Sequence, residues 1–100
     1  MLFRSINRGG YKVYCIEVES VLARHPAVIE CAVIGKPDSV LGERVHAVVV
    51  PRTDTLQEAQ LKSYCAEFLS DYKVPDIVTF LSDGLPRNAN GKVLKTALRG

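Results

Sequence analysis

The hydrophobic positions along the chain alternate between helical and extended spacing. Val18, Val21 and Leu22 recur at helical intervals, with Glu17, Glu19 and Arg24 on the other faces, which predicts a short helix over 16–24. It must stop near His25, because Pro26 disfavours helical geometry in the residue before it. Residues 28–34 are rich in β-branched side chains and predict a strand. Gly35-Lys36-Pro37-Asp38 predicts a turn, 39–43 a loop around Gly42, and 44–50 a second strand stopped by Pro51. Two consecutive strands of similar length joined by a loop predict an antiparallel pair. Thr55-Leu56-Gln57-Glu58 has capping-box spacing. Behind it, Leu61, Tyr64, Cys65, Phe68 and Leu69 form one apolar stripe at helical spacing. Lys73-Val74-Pro75 ends that region. Residues 77–81 predict a third strand, Gly84-Leu85-Pro86 opens a loop that closes at Asn90-Gly91, and 93–98 predict a short last helix. This order predicts a single α+β domain: a small, largely antiparallel three-stranded sheet flanked by helices.

Composition narrows the function classes. The chain has 100 residues, 47% apolar and 24% charged, ordinary for one folded domain. A net charge of +2 is too small to argue for nucleic acid by itself. The longest apolar runs, such as Ala47 to Val50, are far short of the roughly 20 residues that cross a bilayer, and residues 1–5 do not read as a signal peptide. Cys15, Cys31 and Cys65 are odd in number and widely spaced, and neither His25 nor His46 lies near them in sequence. A disulfide framework or zinc site is not expected, so the thiols read as buried or half-buried groups in a reducing, cytoplasmic setting.

Candidate chemistry concentrates in the tail. From Gly84 to Gly100 there are Arg87, Lys92, Lys95 and Arg99 and no acidic residue. The bland reading is a solvated basic tail. The sharper reading is that Asn90-Gly91, in a loop stiffened by Pro86, presents the Lys92 ammonium at a defined point, suited to phosphate or carboxylate oxygens. The spacing is not that of a Walker loop. Arg8-Gly9-Gly10 is the second candidate. It is either a turn leading into the first element or bare backbone past which a ligand chain runs, with Arg8 nearby for an anion. His25 has a sufficient role at a helix end, and no serine or cysteine is spaced as a triad partner for it or for His46. The four tyrosines are too scattered in sequence for a base-stacking platform.

Taken together, Ile6-Asn7-Arg8-Gly9-Gly10-Tyr11-Lys12-Val13-Tyr14, Glu17-Val18-Glu19, His25-Pro26-Ala27-Val28, Gly35-Lys36-Pro37-Asp38 with Gly42-Glu43, Tyr72-Lys73-Val74-Pro75, Leu85-Pro86-Arg87 and Asn90-Gly91-Lys92-Val93 closely resemble the small C-terminal domain of AMP-forming acyl-CoA synthetases. These belong to the adenylate-forming superfamily, with luciferases and peptide-synthetase adenylation domains. The resemblance implies a two-step reaction: a carboxylate attacks ATP to give acyl-adenylate and pyrophosphate, then a thiol, usually that of coenzyme A, displaces AMP. It implies that residues 1–100 are a lid whose partner, a large N-terminal domain carrying the phosphate loop, adenine site and acyl pocket, is absent here. ATP with Mg2+, coenzyme A and a fatty or related carboxylic acid are then the ligands, with no metal held by the lid and no nucleic acid. Lys92 matches the adenylation lysine; Arg8, Gly9 and Gly10 match the loop that faces the active site in the thioester-forming pose. Cys15 and Ile16 stand where the family often has proline, and the hinge is expected upstream of Arg8. Two other readings remain: a stand-alone, non-catalytic binding module of the same fold, and an RNA-binding domain resting on the tail's charge alone.

Overall fold

The computed structural model describes residues 5–98. Its chain runs β1 (Ser5–Arg8), β2 (Tyr11–Tyr14), α1 (Cys15–Ala23), β3 (Val28–Asp38), β4 (Gly42–Pro51), α2 (Glu58–Ala66), β5 (Ile77–Phe80) and α3 (Lys95–Leu98), with a 3-10 turn at Asp71–Lys73 before β5. The α+β class and the largely antiparallel sheet stand as expected. The sheet has five strands rather than three, in the order β2-β1-β4-β3 with β5 also on β4.

The two unexpected strands are β1 and β2. Each has four residues, too few for alternation to register, yet the pattern is present: Ile6 and Val13 face inward and are buried as register partners. Arg8-Gly9-Gly10 is therefore a hairpin turn and not only a lead-in. Gly9 and Gly10 have φ of 58° and 91°, the pair of left-handed residues that a two-residue hairpin matching strand twist requires.

The β3–β4 pair is antiparallel as expected, but longer. Lys36 pairs with Arg44, Pro37 with Glu43 and Asp38 with Gly42, so 35–38 are strand and the turn lies at 39–41. Composition misleads here because proline is tolerated on a strand with an open side, and β3 is an edge. The turn is closed by the Asp38 carboxylate, which accepts from the amides of Val40 (3.0 Å) and Leu41 (2.8 Å) and from Arg44 Nε (2.7 Å). The outer edge of β3 is covered at Val33. Its N–H donates to Glu19 Oε2 (2.8 Å), its carbonyl accepts from Lys95 Nζ (3.0 Å), and these two side chains pair at 2.7 Å. An ion pair thus occupies the place of a further strand.

β5 runs parallel to β4, which the crossover through α2 permits. The run Ala47 to Val50 is apolar because β4 is buried on both faces. Val45, Ala47 and Val49 join Val33, Val18, Leu22, Leu61 and Cys65 in the main core, under α1 and α2. Val48 and Val50 join Ala32, Ile34 and Leu85 in a smaller core, onto which Leu81, Val93 and Leu98 fold. The tail is thus the cover of the second face.

Of the expected stripe, Leu61 and Cys65 are buried on α2 and Leu69 is buried beyond its end, while Phe68 is half exposed. The capping box is two residues later than expected. Gln60 Oε1 accepts from the Gln57 amide at 2.7 Å, whereas Thr55 bonds Thr53. Glu58 instead accepts from the Val78 amide at 3.1 Å, which ties α2 to β5. Cys15 and Cys65 are buried and Cys31 is half-buried; burial pushes Cys65 up to about 11 and, with Glu19 nearby, Cys31 up to about 12. Neither is a thiolate nucleophile. No helix among the described residues is long and apolar enough to cross a membrane.

Candidate functional site

Lys92 lies on an exposed loop between two paired stretches, Arg87 and Val93 forming an antiparallel bridge. Asn88 organises the loop. Its Oδ1 accepts from the amides of Asn90 (2.9 Å) and Lys92 (3.0 Å), and its own N–H donates to the Lys92 carbonyl at 2.9 Å. Gly91 has φ 81° with nothing near its missing Cβ, so glycine serves the backbone there and not packing. The backbone of Lys92 is held at both its polar groups. Among the described residues, none bonds or pairs with its ammonium.

The other cations of the tail are used internally. Arg87 pairs with Glu30 and donates through Nη1 to the Gly91 carbonyl at 2.7 Å. Lys95 is held by Glu19 and Val33 as described. Arg99 lies outside the described residues. Two of the three described cations of the tail are thus ion-paired within the domain. Of the described basic residues in the tail, only Lys92 presents a free charge.

Gly9 and Gly10 sit at the β1–β2 tip. The Gly9 amide donates to the Leu41 carbonyl at 2.8 Å, and the Gly10 amide to Asn7 Oδ1 at 3.2 Å. A Cβ on Gly9 would meet Leu41 Cδ2 at 3.2 Å, while one on Gly10 would meet open space. Next to them Val40 is 85% exposed. Arg8 is directed away from this tip. Its Nε and Nη2 bond both oxygens of Asp76, at 2.8–3.2 Å. Asp76 fills the gap on the β4 edge between β1 and β5: its carboxylate accepts from the Val45 amide, and its amide donates to the Val45 carbonyl, both at 2.8 Å. Burial pushes the Asp76 carboxyl up, but Arg8 and the Val45 amide outweigh it and hold it below its ordinary value. Asp76 is the residue that sequence reasoning missed. Its only signal was an acidic residue directly before a short β-branched run.

The structure does not bring the two candidate loops together. Along β4, Arg8 pairs at Gly42 and Glu30, the partner of Arg87, pairs at Val50. At ~3.3 Å per residue those positions are about 26 Å apart. His25 Nδ1 accepts from the Ala27 amide at 3.0 Å, so it shapes the turn after α1. His46 Nε2 meets Thr79 Oγ1 at 2.8 Å, and burial, with Lys36, pushes its pKa down. Among the described residues neither bonds a serine or a cysteine. Tyr11 and Tyr72, far apart in sequence, stack at 4.6 Å. The expected hinge, upstream of Arg8, falls largely outside the described residues.

Residues 17–92 match the profile of the AMP-binding enzyme C-terminal domain. The chain belongs to this family. It is 43% identical over 95 residues to crotonobetaine/carnitine–CoA ligase of Proteus mirabilis, covering 94% of this chain and 18% of that protein. It is 45% identical over 95 residues to 2,3-dihydroxybenzoate-AMP ligase of Bacillus subtilis, covering 94% and 17%. Among solved structures, fatty acyl-CoA synthetase of Mycobacterium tuberculosis superposes with a TM-score of 0.90 at 45% identity, over 95% of this chain and 19% of that one. The chain thus spans about a fifth of the length of these relatives.

Proposed function

We propose that this chain is the mobile C-terminal lid of a cytoplasmic, AMP-forming carboxylic acid:CoA ligase, acting on a fatty or related acid, and that it delivers Lys92 to a nucleotide bound on a larger N-terminal domain. The observation that carries this reading is the loop of Lys92: backbone tied down, ammonium without a partner among the described residues, and the neighbouring cations Arg87 and Lys95 committed to internal partners. Such a group acts by position and charge. It holds the substrate carboxylate against a phosphate oxygen and offsets charge that builds at the α-phosphate, with no proton transferred. Removing one donor of this kind costs about 3–4 kcal/mol of barrier.

The Gly9-Gly10 tip serves the second step, in which the thiol arm of coenzyme A passes where no side chain stands. Arg8 contributes by anchoring the tip to Asp76. Because the β4 positions beside which the two loops are anchored lie about 26 Å apart by strand rise, one small reacting centre meets the loops in turn, through rotation of the lid between half-reactions. Among the described residues no group of three or more His, Cys, Asp and Glu is placed to hold a metal, and the Mg2+ of this reading travels with ATP on the larger domain.

The test is made in the full-length protein carrying this chain. Lys92→Ala is expected to slow pyrophosphate release about 10²–10³-fold and to spare thioester formation from supplied acyl-adenylate. Equal loss in both half-reactions would contradict the division of roles. The isolated chain, given ATP, coenzyme A and carboxylic acids, is expected to release no pyrophosphate.

A further inference from the structure

The placement of Lys92 depends on residues outside the lysine's own turn. The Glu30 carboxylate accepts from the Leu85 amide at 3.3 Å and pairs with Arg87 Nη2. Through Nη1, Arg87 then reaches the carbonyl of Gly91, the residue bonded to Lys92. Asn88 holds the amide and the carbonyl of Lys92 itself. From β3 to the lysine there is one continuous set of bonds, and it holds the backbone from which the ammonium projects while leaving the ammonium free. We propose that Arg87, braced by Glu30, and Asn88 are positioning residues that set where the Lys92 charge is delivered. This rests on the reading of Lys92 above.

The chemistry of the side chains fits the role. A guanidinium is a planar fork that serves a carboxylate and a carbonyl together, whereas an ammonium is one point charge. Arg87 is held on one side by Glu30, whose carboxyl Arg87 and the Leu85 amide draw down despite some burial. Asn88 works through an acceptor oxygen and a backbone N–H, so aspartate supplies the same side-chain acceptor and alanine supplies none. A displacement of about 1 Å in a reacting group costs up to roughly 10²-fold in rate, and a long side chain on an unfixed backbone spreads over more than that.

The experiment is a set of double-mutant cycles in the full-length protein, read as kcat and KM for pyrophosphate release. Arg87→Lys and Asn88→Ala are each expected to lower kcat about tenfold or more, with KM for ATP little changed and Asn88→Asp recovering most of the loss. In a Lys92→Ala background neither substitution is expected to cost anything further, since the group it positions is gone. The same fold-loss in both backgrounds, a change confined to KM, or full activity of both variants would overturn the proposal. Arg87→Lys keeps the charge opposite Glu30, so it tests the proposal even if Asn88→Ala does not fold. If Lys92→Ala itself is fully active, the reading of Lys92 is what fails. If Lys92→Ala is crippled and the cycles are additive, only the positioning role fails.

Discussion

At the scale of the residue, identity and environment part company. Arg8 and Lys92 both read as cations beside glycine, and the fold separates them. Arg8 is committed to Asp76, while the Lys92 ammonium has no partner among the described residues. The sequence around Lys92 carries its signal locally, in Asn88, Gly91 and their spacing. The partner of Arg8 stands 68 positions away, beyond any local pattern. The glycines of the tip carry a measurable consequence. Gly10 is in left-handed geometry with open space around it, so Gly10→Ala is expected to cost about 1–2 kcal/mol from backbone strain alone. Gly9→Ala adds pressure on Leu41 and is expected to cost more. Urea denaturation of the two variants checks the order; equal costs would mean that Leu41 yields freely.

At the scale of the element, the β3–β4 hairpin shows how a side chain ends a strand pair that composition would end sooner. The residues 35–38 look like a turn, but the ladder continues through them until Asp38 closes 39–41. Its carboxyl is held down at about 2, chiefly by Arg44 and then by the Leu41 amide, against an ordinary value of 3.8. A depressed carboxyl adds stability that is present above its unfolded value and is lost as pH falls through its folded one. Thermal midpoints followed from about pH 4 down to about pH 2 should therefore drop less steeply for Asp38→Asn than for the unsubstituted chain over that range. Equally steep profiles would show that Asp38 closes the turn without a charge. The hairpin β1–β2 went unread for a different reason: four residues on each side give only Ile6 and Val13 as buried markers.

At the scale of the whole molecule, the sheet has two unequal cores. The larger lies under α1 and α2; the smaller is roofed by the tail that carries Lys92. Leu61 is fully buried in the first and Leu85 nearly so in the second. Leu61→Ala is expected to cost about 2–5 kcal/mol of global stability. Leu85→Ala is expected to cost less globally and to open the tail selectively. Amide hydrogen exchange separates the cases: Leu85→Ala should speed exchange at Asn90 and Lys92 far more than at Val49. Uniform acceleration would mean that the tail and the main core unfold as one unit.

The amino-acid sequence determined by itself what depends on near neighbours. It set the helical stripe of α1, the apolar run of β4, the α+β class and the loop of Lys92, because spacing and backbone preference act over a few residues. Tertiary structure decided what depends on which surfaces meet. It decided that β5 lies parallel on β4, that Glu58 ties α2 to Val78 instead of capping its helix, and that Arg8, Arg87 and Lys95 spend their charges on Asp76, Glu30 and Glu19. Ion pairs between distant positions leave no periodic trace along the chain, so which described cation of the tail is left unpaired becomes visible only once the fold has given Arg87 and Lys95 their partners.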